Sequence, residues 1–409
     1  MKKSLLAVAV LGAFAGSALA ADVTLYGIVD TGLRFNHVDP KGATSYTMEN
    51  QNKTGGYDYA AVKYVGKKSN SLSMDSGIQS GSRWGLKGTE QLGNGYSVGF
   101  VLESGINSDT GTGNSQLFNR ESTVNVATPF GKFYAGRMGA VVGAAGSVSK
   151  ISMISAFGTS WSKYVPQVQS TMYLSDRLDN AIAYESPNFA GLVIRAQYAM
   201  GADGSENKAS GTRYAGIAAT YNNGPLALFA GVDRNIYGHE VGKDVDDSLS
   251  VTLGGSYDFG VAKVFGGAQY FDEVLASRIS GLTYHSVNAT VANPTTALAK
   301  MTTVGFSATS KLKGYGLNLS ASAPVLGGVA MVGASYMDAS EADSTASGTS
   351  FDYDRYQIAV GFTYPFSKRT NIYTVASYGK DKLKFKNATF DDTVKPSYAS
   401  AMLGLRHTF

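Results

Sequence analysis

The chain has 409 residues, no cysteine and a formal charge of +4, with 49 glycines, 25 tyrosines and 19 phenylalanines against 9 prolines and only 16% charged residues. Without cysteine the fold closes without disulfides, and so small a basic excess argues against nucleic acid as a partner. After the N-terminal segment there is no apolar run of about eighteen residues, which excludes a helical membrane protein.

The first twenty residues read as a cleavable secretory leader. Lys2 and Lys3 form its basic start, Leu5 to Ala15 its apolar core, and Ala18-Leu19-Ala20 its cleavage pattern. The apolar core is shorter than the ~20 residues of a transmembrane anchor. The mature chain then begins at Ala21, and residues 21–409 form one domain.

The mature chain alternates apolar and polar residues in segments of about ten, the length of a tilted membrane strand. Sixteen such strands are predicted, beginning near Asp22, Gly81, Tyr96, Leu117, Lys132, Arg177, Leu192, Thr212, Leu226, Ser248, Ala262, Tyr315, Gly328, Phe351, Thr370 and Ser397. Eighteen is the alternative, because Met301 to Leu312 reads as loop, as strand extension or as part of an extra pair. Val23, Leu25, Val29, Leu33 and Phe35 share one face of the first strand, while Thr24, Asp30 and Arg34 share the other. Leu249, Val251, Leu253, Tyr257 and Phe259 likewise oppose Ser250, Thr252, Ser256 and Asp258.

The apolar rows end in Tyr or Phe, as an interfacial girdle requires. Asp30, Arg34, Glu103, Arg195, Asp233, Asp258, Arg355 and Arg406 all oppose the apolar row, and a charge turned to lipid near the midplane costs about 2–4 kcal/mol. Glu90 and Asp354 break this parity at strand ends, where the cost vanishes. Short turns such as Gly93-Asn94-Gly95, Pro129-Phe130-Gly131, 187–191, 222–225 and 365–370 alternate with long polar stretches at 36–79, 138–176 and about 272–300. The predicted fold is therefore all-β, an antiparallel transmembrane β-barrel with its apolar rows outward. A soluble β-sandwich would bury those rows instead.

Six motifs in order give the chain a family likeness: Val23-Thr24-Leu25-Tyr26-Gly27; Ser82 to Glu90, SRWGLKGTE; Phe130-Gly131 with Gly136-Arg137; Asn180 to Tyr184 leading into Ser186-Pro187-Asn188-Phe189; Ser367-Lys368-Arg369-Thr370; and Gly404 to Phe409, GLRHTF. Over essentially its mature length the chain resembles the Gram-negative general outer-membrane porins, especially those of beta-proteobacteria. The resemblance implies a homotrimer of 16-stranded barrels in the outer membrane, in contact with its lipid and lipopolysaccharide. Each barrel would be a water-filled channel for small polar solutes and inorganic ions, with an inward-folded third loop and no cofactor. The 138–176 stretch suits that loop: its charges are Lys150, Lys163 and Asp176, with Asp179 just beyond. Phe409 matches the terminal aromatic that the outer-membrane assembly machinery reads in similar proteins.

A porin constriction selects by diameter and fixed charge. The motif-matched basic positions are Arg83, Arg120, Arg137 and Arg177, and the acid-poor loop facing them predicts weak anion preference. The competing reading is that Arg120 or Arg137 pairs with Glu121 or Glu103 in a wall salt bridge. No enzyme is predicted: His37, His239, His285 and His407 lie in loops or at the terminus with no nucleophile motif around them, and Asp244, Asp246 and Asp247 read as solvated carboxylates rather than a Ca²⁺ loop. Two other functions stay open: a substrate-specific channel, and a surface-interaction barrel acting through the loops at 36–79 and 272–300.

Overall fold

Alternating side chains make every strand two-faced, and the chain satisfies both faces by closing on itself. The structure, a computed structural model, describes residues 23–40, 45–51, 57–62, 68–113, 115–143, 145–202, 204, 211–238, 246–280, 285–292, 299–306, 310–342, 350–386 and 391–409. The leader assigned to residues 1–20, its cleavage point, and Asp244 and His239 lie outside the described residues.

Among the described residues sixteen strands form one antiparallel sheet. They are β1 (Thr24–Asp39), β2 (Ser69–Ser76 and Arg83–Gly93), β3 (Tyr96–Gly105), β4 (Glu121–Thr128), β5 (Gly131–Gly139), β6 (Arg177–Glu185), β7 (Leu192–Ala199) and β8 (Arg213–Asn223). The second half comprises β9 (Leu226–Ile236), β10 (Leu249–Asp258), β11 (Lys263–Leu275), β12 (Lys311–Val325), β13 (Gly328–Glu341), β14 (Ser350–Pro365), β15 (Thr370–Lys386) and β16 (Asp391–Val394 and Ser397–Thr408). Each pairs with its neighbour in sequence, and β1 pairs with β16 from Ile28↔Thr408 to Asp39↔Ser397, which closes the ring.

Register puts the apolar rows outside. Leu33 is 46% exposed and Ile358 58%, whereas Asp30 and Arg355 on the opposite parity are 0% exposed. Tyr315, Tyr336 and Tyr356 stand side by side across β12, β13 and β14, with ring centroids 5.9 and 4.8 Å apart, as part of an aromatic belt. Asp354 does break parity, and it does so just past this row, where Lys382 pairs with it at 2.8 Å.

Several boundaries differ from those predicted by the alternation, among them that of β16, which begins at Asp391 rather than Ser397. The region around 301–312 adds no barrel strands: Ala299–Phe306 pairs with His285–Ala292 in a separate ribbon, and Lys311–Leu312 begin β12. The second strand starts at Ser69 rather than Gly81 and is interrupted at 77–82. There Gly77, at φ +71°, donates its N–H to the Asp30 carbonyl, and the N–H groups of Gln79 and Ser80 donate to Asp30 Oδ2 at 2.9 and 2.6 Å. The fourth strand starts at Glu121 rather than Leu117, because Asn119 and Arg120 turn out of the ladder to serve other groups.

The connection 140–176 packs densely. Val141, Val142, Ile151, Ile154, Phe157, Val165, Val168, Met172 and Leu174 are each at most 1% exposed. It is hydrogen-bonded to polar-parity side chains around the wall: Val141 N–H to Gln197, Ala156 N–H to Ser320, and its Pro166 and Tyr173 carbonyls to Asn318 and Gln269. Close approach needs bare backbone on the wall. A Cβ on Gly267 would sit 2.6 Å from Ile154.

Candidate constriction site

Three arginines, on β2, β5 and β6, are aimed by main-chain carbonyls. Arg83 Nε donates to the Gly81 carbonyl, Arg137 Nε to that of Asn119 and Arg177 Nε to that of Arg120, each at 2.9 Å. The turn at 119–120 makes two of these acceptors available. Its own geometry is fixed by Gly105 N–H donating to Asn119 Oδ1 at 2.8 Å and Arg120 N–H donating to the Glu103 carbonyl at 3.1 Å. A guanidinium held through Nε keeps its remaining donors for a carboxylate or an anion.

Arg83, Arg120 and Arg177 converge on one cavity of ≈ 290 Å³, which Ala145, Thr159, Ser160 and Asp176 line from the 140–176 side. Arg120 pairs with Glu103 at 2.6 Å, and Arg83 stands 3.7 Å from the same oxygen. Arg137 pairs with Asp179 at 2.5 Å beside this cavity rather than in its lining. Of the wall pairs read from the sequence, Arg120 with Glu103 is formed, while Arg137 takes neither Glu103 nor Glu121. Glu121 faces the loop instead, accepting from the Ser147 hydroxyl at 2.5 Å and the Ser147 N–H at 3.2 Å.

Lys150 and Lys163 do not join the cluster. Lys150 Nζ donates to the Ser147 carbonyl at 3.1 Å. Lys163 lies over the Tyr164 ring and lines a separate cavity of ≈ 530 Å³ with Arg34, Asp75 and Asp109. A residue that sequence reasoning missed completes the site: Arg278, between β11 and β12, reaches Asp176 Oδ2 at 2.7 Å. Nothing in its local sequence marks it, since its partner is about a hundred residues away.

Of the other singled-out groups, Asp247 pairs with Arg234 at 2.8 Å, and His37 and His407 bond to Asn70 and Thr370. Among the described residues no cluster of three His, Asp or Glu side chains could hold a metal ion. Phe409 exchanges two main-chain hydrogen bonds with Gly27, each 3.1 Å, and its ring occupies the space a Gly27 side chain would take.

A family profile described as Gram-negative porin matches residues 7–384. An outer membrane porin protein of Bordetella pertussis is 31% identical, and outer membrane porin protein 32 of Delftia acidovorans 29%, each over 100% of both chains. Among solved structures, an anion-selective porin from Comamonas acidovorans superposes with a TM-score of 0.61 at 25% identity, covering 95% of this chain and 100% of that one. OmpT of Vibrio cholerae shares the fold at a TM-score of 0.54 and 16% identity, over 96% of this chain.

Proposed function

The chain belongs to the Gram-negative porin family, a 16-stranded channel of the outer membrane, and from that premise we propose that its arginine cluster makes the pore weakly anion-selective. The 140–176 segment is the inward-folded loop that narrows the lumen, and the cavity between it and β2–β6 is the constriction. The observation that carries this reading is the imbalance of charge there. Five guanidinium groups, those of Arg83, Arg120, Arg137, Arg177 and Arg278, are paired with three carboxylates, those of Glu103, Asp176 and Asp179. Counting Glu121 still leaves a cationic excess. In a narrow lumen such an excess raises the local concentration of anions and lowers that of cations. The anion-selective character of the Comamonas relative points the same way.

Reversal potential across a planar bilayer under a tenfold KCl gradient tests it. Chloride should be favoured modestly, and neutralising Arg83, Arg120, Arg137 and Arg177 together should abolish the preference. A cation-preferring wild-type pore overturns the charge assignment.

The family likeness also supports a homotrimer, with Phe409 as the signal for the assembly machinery. Migration in detergent gels with and without heating tests both. A trimer gives a slow band that heating converts to monomer, and Phe409→Ala should deplete that band in cells. A fast monomer under all mild conditions removes the trimer reading, and an undiminished band in the variant removes the signal.

A further inference from the structure

We infer that Arg278, carried by the external connection between β11 and β12, sets the ion preference of the constriction by neutralising Asp176. The inference rests on the anion-filter reading and adds a residue from a different part of the chain. Asp176 is the sole carboxylate in 140–176, so its electrostatic state decides whether the loop side of the cavity attracts or repels an anion. Arg177 pairs with it more weakly, since its Nη1 lies 3.7 Å from Asp176 Oδ1, beyond the 2.7–2.9 Å of a charge-assisted hydrogen bond. Arg278 Nη1 makes that bond, at 2.7 Å to Oδ2.

The backbone around Arg278 is placed for this contact. Ser280 N–H donates to the Gln169 carbonyl at 2.9 Å, and the Ser280 carbonyl accepts from Arg355 Nη1 at 2.8 Å. Ala276 and Ile279 are at most 1% exposed, which fixes the short turn Ala276–Arg278 from below. An external loop is thereby tied to the constriction loop, and its arginine projects into the same cavity as Arg83, Arg120 and Arg177.

The pair itself is 42% and 57% exposed, a setting in which an ion pair contributes little to stability. Its contribution is to the field an ion meets. Removing the Arg278 charge leaves Asp176 facing the path with only the more distant Arg177 beside it. Removing both charges restores the local balance.

The test is a charge cycle read as chloride-to-potassium permeability ratio in planar bilayers at 0.1 M KCl on the low-salt side. Arg278→Gln should lower the ratio by roughly threefold, the size expected when one unit charge changes several ångström from the ion path under partial screening. Asp176→Asn should raise it by a similar factor. The double variant should return to the wild-type value, and Arg278→Lys should retain it. An unchanged ratio in Arg278→Gln, or a double variant as low as Arg278→Gln alone, overturns the inference. A merely structural Arg278 would show itself as flickering conductance in the Lys and Gln variants alike with no ordered shift in ratio, which also overturns it. If the wild-type pore prefers cations, the anion-filter reading fails, yet the order Asp176→Asn, wild type, Arg278→Gln still decides the role of Arg278.

Discussion

Arginine does opposite work on the two sides of the lumen. On the β2–β6 wall, Arg83, Arg120, Arg137 and Arg177 are 14–23% exposed, each is aimed by a carbonyl or a shared carboxylate, and all but Arg137 line the cavity. On the β12–β16 wall, Arg355 is 0% exposed. It grips both oxygens of the equally buried Asp381 at 2.8 Å and commits its other donors to the Ser170 and Ser280 carbonyls and the Tyr353 hydroxyl. Saturation therefore separates the roles. A guanidinium with every donor committed is a clasp holding two loops to the wall, and one with donors to spare suits the proposed filter.

Breaking the clasp should have the largest effect. Arg355→Ala strands the Asp381 carboxylate in a dry site, a loss of about 3–5 kcal/mol, and should lower the thermal transition followed by circular dichroism in detergent far more than Arg83→Ala does. Comparable losses for the two variants would erase the distinction between the walls.

Within the filter, the pairing pattern predicts unequal arginines. Arg120→Gln also unpairs Glu103, which Arg83 then holds only at long range, so the chloride-to-potassium permeability ratio should fall by roughly threefold. Arg137→Gln changes a pair beside the cavity and should shift the ratio by less than half as much. Equal shifts would mean that the field is set by total charge rather than by placement.

Ionic strength should give the smallest and sharpest contrast. The screening length shrinks from about 10 Å at 0.1 M salt to about 3 Å at 1 M, so ion preference should fade over that range while the thermal transition moves little. A transition that falls in parallel with selectivity would show that the clasp, too, is reached by solvent ions.

The fold was largely legible because membrane strands leave a regular mark. The starts of β3, β6, β7, β9, β13 and β15 coincide with the residues at which the alternation begins, since lipid on one side and water on the other impose that alternation directly. The misplacements occur where tertiary contacts override it. The interruption at 77–82 is created by Asp30, which gathers two N–H groups and the Tyr373 hydroxyl, and no local pattern announces a carboxylate fifty residues upstream.

The site was legible in part for the same reason. Arg83, Arg120 and Arg177 could be matched by motif, and all three line one cavity. Lys150 and Lys163 were included only because they lie on the 138–176 loop, which runs far enough around the wall to carry them elsewhere. Arg278 was invisible because its contact with Asp176 arises where two loops meet, and sequence distance hides that meeting.

The closure of β1 onto β16 also governs how the molecule comes into being. Val38 finds Tyr398 across most of the chain, and until it does, each open margin of the sheet carries a row of amide and carbonyl groups with no partner. Hydrocarbon cannot satisfy those groups, so strands cannot enter the bilayer one at a time as helices do. Insertion and ring closure must form one late, cooperative event, slow because its decisive contact is the most distant in sequence. A chain cut short before that contact is therefore not a narrower channel but an exposed edge seeking another edge, a substrate for chaperones and proteases.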